Sequence, residues 1–299
     1  MQETGWLWAF FTLIAAASQT ARNALQRELT ATLGTVGATH VRFLFGFPFA
    51  LISLAAVLGF TGASLPRVGW SFLPWIALGA GAQIAATAMM LAAMGERSFV
   101  VAVAYIKTEP VQVALFGLIF LGDALTPGIV AAILIATTGV VVTSLKPGSA
   151  PGASLRPTLL GIASGGMFAL SAIGYRGAIL NLDRPDFVVA ATFTLVVGLV
   201  GQAAALSAYL MLREPRVMRD ILAAWRPSLV AGFLGALASQ FWFLAFAIAT
   251  AASVRTLALV EVLFAQAISR FVFGQKTTPR EVLGIVLVVA GVALLLWAH

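Results

Sequence analysis

The stretch Tyr105-Ile-Lys107-Thr-Glu109-Pro110-Val-Gln112 opens an apolar run that continues to Leu121. It turns through Gly122-Asp-Ala-Leu-Thr126-Pro127 and ends in a second apolar run that reaches Leu145. Laid without gaps on Leu257 to Trp297, the stretch meets its own echo. Glu109 falls on Glu261, Gly122 on Gly274, Thr126 on Thr278 and Pro127 on Pro279. Val130, Ile133, Gly139 and Val140 fall on Val282, Ile285, Gly291 and Val292. Chance matches are common among apolar residues, but glycine and Thr-Pro mark where helices stop and start. The echo reads as an internal duplication, and it sets the architecture.

Composition places that architecture in a membrane. Of 299 residues, 61% are hydrophobic and only 10% charged, with a mean hydropathy of +1.00. A soluble domain carries about 25% charged residues. So much apolar surface cannot be hidden in one core, and a bilayer must solvate it. The net charge of +7 does not point to nucleic acid, because the basic residues sit in short loops and at helix ends. Membrane phosphates and topology account for them. With no cysteine there is no thiolate chemistry, and His40 and His299 alone leave little for a metal site. No cofactor motif is present. The N-terminus lacks the basic region and cleavage site of a signal peptide, so the first apolar segment is expected to stay in the mature protein.

A span needs about 20 apolar residues. Spans are expected at 6–29, 38–60, 71–94, 98–121, 127–145, 158–180, 187–211, 228–250, 252–273 and 280–298. Trp6, Trp8, Trp70, Trp75, Trp225 and Trp297 fall near their ends, as an interfacial aromatic belt requires. The breaker-rich segment Lys146 to Pro157 separates a first repeat, 1–146, from a second, 158–299, with 147–157 as linker. Five spans per half is an odd number, so copies must enter the membrane with opposite polarity. The expected fold is therefore all-α and polytopic, ten transmembrane helices forming two inverted five-helix repeats.

Ten helices, with a Gly-polar turn after the fourth of each half (Gly122-Asp123 and Gly274-Gln275), resemble the EamA branch of the drug/metabolite transporter superfamily. Within it the chain looks closest to bacterial amino-acid exporters of the YddG type. The family's turn is Gly-Glu, so here the acid is shortened once and neutralised once. The resemblance implies no enzyme but a multi-pass exporter of small metabolites in the bacterial inner membrane. It works as a monomer with a central cavity between the halves. Efflux of lipophilic drugs on the same fold is the alternative. A membrane-embedded hydrolase would need a nucleophile with its base or a metal cluster, and neither is in the sequence.

The polar residues inside the spans are the candidate site. Glu109 and Glu261 are intramembrane acids, each costing about 2.5–3.5 kcal/mol to insert. Pro110 weakens the helix beside Glu109 by removing a donor. On a continuous helix Tyr105, Glu109 and Gln112 share a face, while Lys107 points away from Glu109. Gln19 and Asn23 lie on one stripe of the first span and read either as a cavity wall or as interhelical hydrogen bonds. Gln240 and Trp242 offer an aromatic wall; Arg22, Arg27 and Arg176 read as interface residues. A zwitterionic amino acid needs a cation for its carboxylate, for which Arg255 or Lys107 is available. Its ammonium needs an acceptor, Glu109 or Glu261, with Tyr105 or Trp242 adding a cation–π face. Proton coupling through one glutamate and plain facilitation both remain open.

Orientation is open as well. Arg27, Arg97, Lys146, Arg156, Arg213, Arg216, Arg219, Arg226, Lys276 and Arg280 gather at the odd-numbered loops, against Arg67, Arg176 and Arg184 at the even ones. The positive-inside rule then places both termini outside, whereas the resemblance implies cytoplasmic termini.

Overall fold

Gly34 reverses the chain inside what is otherwise one helical run. The computed structural model describes residues 6–96, 105–144, 156–183, 186–264, 266 and 278–298. Helix α1, Leu7–Leu44, consists of two arms that meet at Gly34, with φ 67° and ψ 176°. A side chain would strain that backbone, so glycine replaces the loop expected between residues 29 and 38. Gln26 Nε2 ties the arms by donating to the Ala38 carbonyl at 2.9 Å. The chain then breaks at Phe45–Gly46, and α2, Phe47–Thr61, continues the second arm. The kink expected at Pro48 therefore falls just before it. Pro48 occupies the first turn of α2, where its missing donor has no partner to lose.

The remaining elements are α3 (Phe72–Glu96), α4 (Glu109–Phe116) with a π-turn at Gly117–Leu121, α5 (Pro127–Ser144) and α6 (Arg156–Leu180). They continue as α7 (Phe187–Arg213), α8 (Pro215–Ala223), α9 (Trp225–Ile248), α10 (Ala251–Leu257) with a 3-10 turn at Ala258–Val260, and α11 (Pro279–Ala298). Among the described residues the only non-helical pairing is an isolated bridge between Val68 and Leu182. Both Thr-Pro sites start helices as expected. Thr126 Oγ1 accepts from Ile129 N at 3.2 Å, and Thr278 forms a reciprocal capping box with Glu281. Most of the linker and the Gly274-Gln275 turn lie outside the described residues.

Among the described residues five stretches are long and apolar enough to cross a membrane: Leu7–Thr61, Phe72–Met94, Phe187–Arg213, Trp225–Ile248 and Pro279–Ala298. Glu109–Leu121 and Pro127–Thr143 are shorter and also apolar. The distribution of side chains suits lipid. Ile52, Phe60, Leu134, Leu283, Val286 and Trp297 are exposed, while Arg22, Arg42, Lys107, Glu109, Arg255 and Glu261 are buried. Trp8 is corrected from belt to interior, since it is buried; Trp75 is half-buried, with its indole against Gly177.

The most extensive packing joins α3 to α6, α5 to α11 and α1 to α9. Helices α5 and α11 cross at their glycines. A Cβ added to Gly139 would lie 2.7 Å from the Gly284 carbonyl oxygen, and one on Gly291 would lie 2.9 Å from that of Ala132. The register that superposes Glu109 on Glu261 carries Gly139 onto Gly291 and Ala132 onto Gly284. Each contact is thus the image of the other.

Candidate functional site

Both glutamates sit just past a broken helix. In the first half, Tyr105 and Ile106 are helical, Lys107 and Thr108 form a turn, and α4 begins at Glu109. Pro110 removes the donor that the Ile106 carbonyl would have used, and its ring crowds that carbonyl. The freed carbonyl lies against Gly165 of α6, where a Cβ would come within 2.9 Å of it. Thr108 Oγ1 closes the turn by donating to the Tyr105 carbonyl at 2.8 Å. In the second half α10 is capped by Thr250, whose Oγ1 accepts from Ser253 N at 3.3 Å. It ends at Leu257, tightens into the 3-10 turn, and delivers Glu261 at the end of that turn. No proline marks this second break.

The breaks place four charges in crossed pairs. Arg255 Nε, from the second half, lies 3.0 Å from Glu109 Oε1 in the first. Lys107, from the first half, pairs with Glu261 in the second. The Arg255 contact is an ion pair without hydrogen-bond alignment, since neither of those two atoms has a hydrogen-bond partner among the described residues. Removing one member of a buried pair costs about 3–5 kcal/mol, because the other is left uncompensated.

These residues line a cavity of about 660 Å³, counted to its open mouth. Its polar wall is Gln19, Thr20, Arg22, Asn23, Lys107, Glu109, Arg255 and Glu261; Met90, Met94, Ile106, Phe168 and Val262 supply the apolar part. Gln19 accepts from the Trp242 indole N–H at 3.1 Å, and Asn23 Oδ1 accepts from Arg22 at 2.6 Å. The Arg255 guanidinium lies 4.3 Å over the Trp242 ring, so that aromatic face holds a cation of the protein itself.

Of the residues singled out in the sequence, six meet in this wall: Gln19, Asn23, Lys107, Glu109, Arg255 and Glu261. Trp242 stands behind them, held by Gln19 and Arg255. Tyr105 and Gln240 are not in the wall. The helical face shared by Tyr105 and Glu109 does not survive the turn at Lys107–Thr108, and the same turn brings Lys107 into the cavity that continuous-helix geometry denied it. Gln240 instead donates to Thr192 Oγ1 at 2.8 Å.

Arg22 is corrected from the interface to the cavity, where it is 1% exposed. Its i+3 spacing from Gln19 puts it at the edge of the amide stripe, a signal that points to the cavity and is outweighed by the reading of arginines as interface residues. Arg42 is also buried and donates to Thr87 and Ser239 at 3.4 and 3.3 Å. Arg176 likewise leaves the interface. It pairs with Asp123 at 3.3 Å and donates to the carbonyls of Phe246 and Ala249, so the Gly122-Asp123 turn anchors α6 and the end of α9. Gln83, Tyr175 and Gln202 form a separate buried cluster, with both donors 3.0 Å from Gln83 Oε1.

The family model of EamA-like transporters matches residues 156–297. No curated protein matches the chain at a significant level. Among solved structures, one crystal structure aligns over 98% of this chain and 96% of its own, with a TM-score of 0.72 and 16% identity. That similarity is one of fold. Residues 156–297 are thus similar to EamA-like transporters, and the chain is a multi-pass membrane protein whose described elements are helical.

Proposed function

We propose that the protein exports small metabolites, above all amino acids, from the cytoplasm of a bacterium, and that it acts as a monomer in the inner membrane. In this reading the chain has ten spans. Residues 1–146 and 158–299 form two inverted five-helix repeats that rock about the cavity to give alternating access. The crossed pairs carry the reading: each half contributes one carboxylate and one cation to a single intramembrane site. Broken helices at such a site are tolerated because they line a cavity and face away from lipid. The paired glycine contacts of α5 and α11 support the inverted relation, and the EamA-like match supports transport of small molecules.

Glu109, Lys107, Arg255 and Glu261 form the polar centre in this proposal, with Gln19, Asn23 and Trp242 shaping the wall. Glu261 Oε2 has no hydrogen-bond partner among the described residues and is available to an ammonium group. Rocking would separate the crossed pairs, since each joins the two halves, and a bound zwitterion would compensate the separated charges. The test is counterflow of radiolabelled L-phenylalanine in proteoliposomes, with and without a pH gradient. Accumulation against unlabelled substrate is expected, and its response to the gradient separates proton coupling from facilitation. Movement of a lipophilic dye with no amino-acid counterflow would establish drug efflux in its place.

A further inference from the structure

Among the described residues, Arg22 is the cavity cation that no ion pair accounts for. Lys107 is engaged by Glu261 and Arg255 by Glu109, so the wall holds three cations and two carboxylates. Arg22 is 1% exposed and uses one nitrogen, Nη2, to reach Asn23 Oδ1. Its Nε and Nη1 have no hydrogen-bond partner among the described residues. The side chain is held by design of the backbone around it. A Cβ on Gly235 of α9 would sit 3.4 Å from Arg22 Cδ and 3.2 Å from Arg42 Cγ, so glycine leaves room for both stems. A buried guanidinium with unused donors, opening on a cavity, is suited to an anionic oxygen acid.

We propose that Arg22 recognises a carboxylate on the transported solute, which restricts the substrates to solutes with an anionic head and an apolar body. The single surplus charge matches a monoanion, and Met90, Met94, Ile106 and Phe168 match the apolar body. This deepens the amino-acid reading and rests on it for the transported class. The contact itself does not require the amine. Glu261 faces the same cavity with its unpartnered Oε2, so an ammonium group on the solute would find its acceptor there.

The purified protein is tested with three probes: L-phenylalanine, 3-phenylpropionate, which lacks the amine, and phenethylamine, which lacks the carboxylate. Wild type should bind the first two, measured by thermal shift and by competition in counterflow. Arg22→Gln should weaken both by about tenfold or more and leave phenethylamine unchanged. Arg22→Lys should retain part of the binding. Without ligand, Arg22→Gln should unfold at a temperature no lower than wild type, because it removes a buried charge that lacks a counter-ion. Should Arg22→Gln fail to fold, Arg22→Lys decides, with 3-phenylpropionate binding equal to wild type overturning the proposal. Unaltered binding of 3-phenylpropionate by Arg22→Gln, or none by wild type, also overturns it. Arg22-dependent 3-phenylpropionate binding without amino-acid counterflow would uphold the carboxylate site and remove the amino-acid reading. Amino-acid counterflow indifferent to Arg22 would do the reverse.

Discussion

Glu109 and Glu261 superpose under the repeat register, yet their surroundings differ. Glu109 faces a guanidinium that also covers Trp242, whereas Glu261 faces a lysine and its Oε2 has no hydrogen-bond partner among the described residues. Glu109→Gln and Glu261→Gln should each remain folded and transport less, and by unequal amounts. Glu109→Gln should also lose about 3 kcal/mol of stability by stranding Arg255, and Glu109→Gln/Arg255→Gln should recover most of it. Uptake and thermal unfolding measured side by side check both points; wild-type transport in both single variants would reduce the glutamates to charge partners. The two acids were legible as functional candidates because a charge inside an apolar span is costly. Their partners were legible only in part: charge cancellation offered Arg255, Arg22 or Lys107 to Glu109 without choosing among them, because Lys107 and Arg255 lie at no helical spacing from the acids they meet. Arg22 was misread because its place on the polar side of the first span does not by itself say whether that side meets the membrane edge or a cavity; the neighbouring helices decide it.

At the scale of the element, two broken helices make the site. The first break is written in Glu109-Pro110, since proline cannot donate to Ile106. The second, at Ala258–Val260, carries no proline and follows from packing around α10, so it was not legible. The close approach of α5 and α11 makes a further prediction. Backbone atoms stand within 2.7 Å of where a Cβ on Gly139 would be, so Gly139→Leu must push the helices apart. It should lower stability by about 1–3 kcal/mol, read as a reduced unfolding temperature in detergent. Val130, on the opposite side of α5 and exposed, should accept a Leu substitution with little change.

For the whole molecule, most of the exposed arginines among the described residues settle on one face. Arg27, Arg156, Arg213, Arg216, Arg219 and Arg226 are exposed there, around the short amphipathic helix α8. On the other face Arg67 is exposed, while Arg176 turns inward to Asp123 and leaves the count. The positive-inside rule then predicts that the α8 face is cytoplasmic and that the Trp6 and Ala298 ends lie on the far side. Because the chain has no cysteine, single-cysteine labelling tests this cleanly. In intact cells a membrane-impermeant maleimide should modify Ser64→Cys and spare Asp220→Cys. The opposite pattern would put both ends in the cytoplasm, as the resemblance to YddG-type exporters implies.

The amino-acid sequence by itself determined that this chain is helical and lipid-solvated, that Gly122 and the two Thr-Pro sites bound its helices, and that Glu109 and Glu261 are the acids to watch. Those properties follow from local chemistry: the cost of burying backbone and charge in hydrocarbon, and the fixed φ and missing donor of proline. Tertiary structure alone decided which cation meets which acid, that Gly34 serves as a whole interhelical turn, and that Arg22 points into a cavity. These depend on approach between segments far apart in the chain, where one Cβ more or less at Gly139 sets how closely two helices can touch.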